Sequence, residues 1–189
     1  MNYVRALNML KTKTLLKSLA FMAMLSVVAG CVTPASGINR SADQAVQEFR
    51  AQVNGADVFL NQAAGYLVFP KVYKGGIGVG GETGEGVLRV GGSPVDYYRV
   101  AAGSVGFQLG AQAKSIVIVF MTREALDRFR KSEGWRVGVD GSVALIDIGA
   151  GKTIDSDNVR DPVVGFIYGS KGLMNNQTLE GTKFTKVER

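Results

Sequence analysis

The sequence predicts an α+β domain: a strongly curved antiparallel sheet or partial barrel with a few flanking helices. Three observations carry this expectation. Residues 75–110 hold 12 glycines in 36 positions, interleaved with β-branched and aromatic residues and without a triplet period. That is a strand-and-turn texture and excludes collagen. An aliphatic-Gly-aliphatic/aromatic triplet recurs around Gly78, Gly106, Gly138 and Gly165, and glycine inside a strand marks a bend or a close approach of backbones, as a curling sheet requires. Helical periodicity is confined to short stretches before and between the strands.

The elements follow in chain order. Residues 1–17 carry Arg5, Lys11, Lys13 and Lys17 and no acid, and a ten-residue apolar run over 19–28 is broken only by Ser26. A membrane-spanning helix needs about 20 apolar residues, so this reads as a secretory signal peptide. It closes on Val28-Ala29-Gly30-Cys31 and uses the only cysteine of the chain. This resembles the bacterial lipobox. The resemblance implies cleavage before Cys31, a diacylglyceryl thioether on its sulfur and acylation of its new amine. Each buried CH₂ contributes about 0.8 kcal/mol, so such an anchor is nearly permanent. Val32, in place of the aspartate that retains lipoproteins in the inner membrane, points to the periplasmic face of the outer membrane. The expected organisation is 1–30 signal peptide, 31–40 lipidated tether and 41–189 folded domain.

Ser41 with Gln44 forms a capping-box pattern, and Ala42, Ala45, Val46, Phe49 and Val53 make one helical stripe. A second short helix is expected over 57–64, ending at Gly65. Strands are expected at 66–70, closed by Pro70, then at 76–82, 86–90, 97–102, 104–111 and 115–121, with Thr83-Gly84-Glu85 as a hairpin turn. Thr122 can cap a helix that runs to about Ser132 and turns Leu126 and Phe129 inward. Strands at 135–139 and 142–148 are expected to join through Asp140-Gly141. A polar loop over 149–162, a strand at 163–168 and a last strand near 178–187 complete the pattern.

Composition removes whole classes of chemistry. The chain has 189 residues, no histidine, one cysteine and a formal charge of +6. Without histidine there is no Ser-His-Asp or Cys-His catalysis and no imidazole metal site; with one cysteine there is no thiolate cluster. Removing residues 1–30 leaves 18 basic and 16 acidic side chains, a net of +2, so most of the basicity belongs to the export segment. The glycines of 76–81 fit G-x-G-x-x-G, but a strand follows where a nucleotide site needs a helix. Residues 149–153 resemble the tail of a phosphate loop, but Ile146 stands where its first glycine belongs. Asp155, Asp157 and Asp161 lack the glycine and glutamate of a calcium loop. No enzyme activity, cofactor, metal or nucleic acid is expected.

Three stretches together resemble a known family. They are Phe69-Pro70-Lys71-Val72-Tyr73-Lys74-Gly75-Gly76, then residues 103–112 (GSVGFQLGAQ), and finally residues 168–173 (YGSKGL) with Leu179-Glu180-Gly181-Thr182. In this order they are similar to the SYLF domain, which occurs in eukaryotic membrane-trafficking adaptors and in bacterial lipoproteins. The resemblance implies lipid binding and no catalysis. Eukaryotic members bind phosphoinositides, partly through an N-terminal amphipathic segment, and some act on actin. Here residues 41–53 carry Asp43, Glu48 and Arg50 in place of a lysine-rich face, so their stripe is expected to pack on the sheet. Lys71, Lys74, Lys114, Arg128, Lys131 and Lys171 are the candidate contacts to anionic headgroups of a phospholipid membrane. The alternative is an envelope protein partner, with the acyl chains as the sole membrane contact.

Overall fold

The computed structural model describes residues 33–77, 79–105, 112–147, 161–169 and 178–189. The expected signal peptide, Cys31, Lys171, Asp155 and Asp157 lie outside these residues. Pro34–Arg189 forms one compact unit, and every buried cluster described below lies within it.

Helix α1 is Ala35–Gln52. It starts directly after Pro34, whose φ of −64° suits a helix entrance and whose carbonyl accepts from the Gly37 and Ile38 amides at 2.9 and 3.2 Å. The N-cap is therefore seven residues earlier than the Ser41 capping pattern suggests, and residues 35–40, expected as tether, are helical. The reason is burial: Ile38 extends the stripe of Ala42, Ala45, Val46 and Phe49 by one turn, and all five are buried. Helix α2, Ala56–Gln62, follows Gly55 at φ 91°. Helix α3, Arg123–Lys131, matches the sequence expectation. Thr122 Oγ1 accepts from the Ala125 amide at 3.2 Å, and Leu126 and Phe129 are buried. Among the described residues no helix is long and apolar enough to cross a membrane.

The strands are β1 Gly65–Ile77, β2 Val79–Val90, β3 Ser93–Val105, β4 Gln112–Phe120, β5 Trp135–Arg136, β6 Ala144–Asp147, β7 Val163–Tyr168 and β8 Lys183–Val187. They form a single sheet in the order β5-β8-β3-β2-β1-β4-β7-β6. All neighbours are antiparallel except β6 and β7, which run parallel, so the sheet is mixed and not wholly antiparallel as expected.

Three local expectations are corrected. Pro70 does not close a strand. It sits inside β1, between two register shifts, at Val68/Lys71 against β2 and Phe69/Val72 against β4. A residue without an amide proton is tolerated in a central strand at such a bulge. Thr83-Gly84-Glu85 is not a turn but lies mid-strand, facing Tyr73, Val72 and Lys71; β1 and β2 reverse at Ile77/Val79. Asp140-Gly141 does not join paired strands. Its turn is closed by Gly138 N–H to the Gly141 carbonyl at 2.9 Å, and β5 and β6 end up on opposite edges of the sheet.

The sheet curls into a half-barrel, and side chains show which face is concave. β8 and β1 are three strands apart, about 14 Å in a flat sheet. Yet the Phe184 and Phe69 rings stack at 5.4 Å. Phe129 of α3 likewise reaches both Tyr98 of β3 and Phe120 of β4 at 4.8 Å. The face holding these aromatics is therefore the inside of the curl, plugged by α3. The close approach rests on Gly84 and Gly86, whose Cβ positions would strike β1: Val72 Cα at 3.1 Å for the first, the Val68 carbonyl and, at 2.6 Å, Phe69 Cδ1 for the second. Of the four recurrent triplet glycines, Gly165 fits the close-approach reading, since a Cβ there would lie 2.7 Å from Val143. Gly138 is a turn residue at φ 83°, and Gly78 and Gly106 lie outside the described residues.

The convex face is covered by α1 and α2, which pack on Val68, Val87, Val117, Val119, Val164 and Phe166. Polar bonds pin α1 there. Tyr168 Oη donates to the Ala45 carbonyl at 2.6 Å, Asn39 Nδ2 donates to Tyr97 Oη at 2.9 Å, and Arg89 pairs with Asp43 at 2.7 Å.

Candidate functional site

Residues on the concave face of β1, β2 and β4 alternate with those beneath α1. On β4 the inward row is Phe120, Ile118, Ile116 and then Lys114. On β1 the bulge resets the alternation, so Val72 points inward and Lys74 follows it. The register sets Lys114 opposite Val72, and Glu82 opposite Lys74. The apolar interior thus ends, at the end of the sheet away from α3, in three charged side chains.

These three form one cluster. Lys74 Nζ lies 3.2 Å from Glu82 Oε1, and Lys114 Nζ lies 2.8 Å from Glu82 Oε2. The side chains are only 17%, 12% and 11% exposed for Lys74, Glu82 and Lys114. One carboxylate shared by two ammonium groups leaves a net charge of +1 in a partly desolvated place. Removing charge from water is unfavourable unless a partner compensates it, so such a site favours an anion. Segments 106–111 and 170–177, which continue from the ends of β3 and β7, contain no acidic residue, and the second contains Lys171.

The candidate residues from the sequence fall in several places. Lys74 and Lys114 are brought together. Lys71 is at the same end but exposed, on the opposite face. Arg128 and Lys131 are exposed on α3, which follows the far end of β4, about 20 Å along the strand from Lys114. Lys131 there lines a shallow pocket with Arg130 and Lys186, next to Glu133 and Glu188. Both neighbouring cations share one carboxylate, Asp96, at 2.9 Å from Arg130 and 2.6 Å from Lys186, as at Glu82, but they are 40% and 47% exposed, so water screens the charge left over. Phe129 and Trp135 are buried core residues and give this helix no aromatic surface.

Sequence reasoning missed Glu82. Its signal was the spacing to Lys74 across the Ile77/Val79 reversal; placing the turn at 83–85 hid the pairing. Among the described residues no group of His, Cys, Asp and Glu could hold a metal ion. Two tyrosines are perturbed. Burial, with Asp96 nearby, pushes the Tyr98 phenol well above its ordinary value, and burial, with Glu48 nearby, does the same to Tyr168. Both are packing residues and take no part in the Lys74 cluster.

Residues 101–189 match a family model described as "Ysc84: Las17-binding protein actin regulator". Over these residues the chain is similar to the Ysc84 (SYLF) family, in agreement with the resemblance carried by its motifs. The match begins within β3 and takes in β4 to β8 and α3, so it covers two of the three motif stretches; the first, on β1, precedes it. No curated protein matches the chain. The convex packing of α1 also separates this domain from the N-terminal mode that the family resemblance implies, because the apolar stripe of α1 is occupied by the sheet.

Proposed function

We propose that this chain is an envelope lipoprotein, anchored through Cys31 on the periplasmic face of the outer membrane, whose SYLF domain binds anionic phospholipid headgroups at Lys74 and Lys114. The observation that carries the reading is the shared carboxylate. Among the described residues, two lysines on one glutamate leave a positive charge unmatched at the end of an apolar concave face. A headgroup phosphate supplies the missing charge, and charge-assisted hydrogen bonds to it are the stronger kind. The reading assigns binding and no reaction.

Co-sedimentation of residues 32–189 with vesicles tests it. Binding to phosphatidylglycerol vesicles is expected, falling as salt rises, with weak binding to phosphatidylcholine. The Lys74→Ala, Lys114→Ala double variant should bind about 10-fold more weakly or worse, since each basic residue near an anionic surface contributes about 1 kcal/mol. Glu82→Gln should bind more tightly. Equal binding to neutral vesicles, or none to any, overturns the reading. Cys31→Ser should leave the full-length protein unprocessed and without acyl chains, read by mass.

A second reading rests on the family description, which names a protein ligand. In it the domain docks an envelope protein while the acyl chains hold the membrane. It predicts no vesicle binding by residues 32–189 and a specific crosslinked partner on intact cells.

A further inference from the structure

The three-residue cluster sits at one end of the β1–β2 hairpin, and the outer side of that same end is unusual. Tyr73 is 56% exposed, the only aromatic among the large exposed hydrophobics of the described residues. The others, Val58, Val95 and Val139, are single aliphatics on α2, at the opposite end of β3 and in the turn after β5. Around Tyr73 the surface is bare. Its cross-strand neighbour Thr83 is exposed, a Cβ at Gly75 would meet nothing within 4 Å, and one at Gly81 only the Ala102 carbonyl at 3.7 Å.

The charges at this end are one-sided. The only acids in the paired rows here are Glu82 and Glu85, and each is held by two basic residues: Glu82 by Lys74 and Lys114, Glu85 by Arg99 and Arg189. Lys71 has no ion pair among the described residues and lies two positions from Tyr73 on the exposed side. Between them the hairpin apex reads Gly-Gly-Ile-Gly-Val-Gly-Gly over 75–81, apolar and without charge.

We infer that this hairpin end is the edge of the domain that meets an anionic lipid surface, with Tyr73 seated among the headgroups and Lys71 beside it. The inference rests on the lipid-binding reading above and adds its orientation. The dimensions agree. Lys74 is three residues and Tyr73 four residues from Ile77, about 10 and 13 Å along the strand. Interfacial segments settle about 5–10 Å into the headgroup and acyl boundary. An apex at that depth sets the lysines at the level of the phosphates and the tyrosine ring at the interface, where an apolar ring with a polar tip is favoured. The strands are paired up to Ile77 and Val79, which keeps their backbone groups bonded as the end approaches the interface. The N-terminal helix cannot fill this role, because its apolar side is packed on the sheet.

The test uses Tyr73→Trp in residues 32–189, a stretch that contains both buried clusters. The native Trp135 is 5% exposed and serves as the internal reference through the unsubstituted protein. With phosphatidylglycerol vesicles, the added emission should move to shorter wavelength and be quenched by lipids brominated near the glycerol end of the chains. Tyr73→Ala should weaken vesicle binding roughly 2- to 10-fold, the range for one interfacial aromatic contact, and Tyr73→Phe should retain most of it. Val95→Ala at the opposite end should change nothing. If the Tyr73→Trp variant co-sediments while its added indole keeps an aqueous emission, the orientation is overturned and the headgroup reading stands. If the unsubstituted protein binds no vesicle, the lipid reading itself fails and the orientation with it.

Discussion

The two faces of the sheet are built on different physics. The convex face is held by polar pins through an apolar layer: Tyr168 to Ala45, Asn39 to Tyr97, Arg89 to Asp43. The concave face is held by shape. Its aromatics touch across three strand spacings because Gly84 and Gly86 leave room for β1 to lean over β2, and Tyr98 Oη is buried there without a hydrogen-bond partner among the described residues. A helix can be fixed on a sheet by a few directional bonds, but a curl demands that side chains be missing at chosen positions.

The largest expected effect tests the shape argument. Gly86→Ala places a methyl group against the Val68 carbonyl and the Phe69 ring. Overpacking of this kind costs about 1–3 kcal/mol, and backbone on one side of the clash puts this site at about 3 or above. Urea denaturation should show it as a lower midpoint; an unchanged midpoint would remove the steric account of the curl.

A smaller effect separates the two faces directly. Tyr168→Phe deletes a buried bond to the Ala45 carbonyl and should destabilise by about 1–2 kcal/mol. Tyr98→Phe deletes a hydroxyl that has no partner among the described residues and should be neutral or slightly stabilising. The same pair governs alkaline stability. Both phenols are raised in the fold by burial, whereas unfolded tyrosines ionise near pH 10. Below that pH both states stay protonated and stability is level. Above it the unfolded chain loses protons that the native state keeps, so stability falls as pH rises. The double Tyr→Phe variant should flatten that fall in thermal scans between about pH 9 and 11, a window centred on the free phenol.

The smallest effect is the control. Gly75→Ala meets open space and should stay within about 0.5 kcal/mol of the parent. A large loss would mean that glycine at this end is structural, like Gly86, and not simply exposed.

Much of the fold was legible because its signals were local. Thr122, Leu126, Phe129 and Gly134 delimit α3 within one short stretch, and the apolar runs at 115–120 and 163–168 are too short for anything but buried strands. The errors came where a local signal competed with a distant one. Ser41 offers a cap, but burial of Ile38 carries the helix past it. Gly84 resembles a turn glycine, but its role is to make room for Val72 on the neighbouring strand. The turn that is present, Gly91-Gly92 with both φ positive between Val90 and Ser93, follows the ordinary two-residue hairpin rule. The parallel seating of β6 on β7 pairs Ala144–Asp147 with Val164–Ile167, a partnership that the local apolar pattern of neither strand announces. Lys74 and Lys114 were identified as residues but not as a pair, since only the register places Glu82 between them.

The bulge at Pro70 has a consequence beyond accommodating a proline. It shifts the phase of β1 by one residue, so that Phe69 and Val72 share a face although they are three apart. Everything beyond it inherits that shift. In an unbulged strand Tyr73 would turn into the apolar interior and Lys74 would turn out. One inserted residue therefore decides the polarity of the whole hairpin tip, and with it which side of the molecule is wet, which is charged and which is greasy.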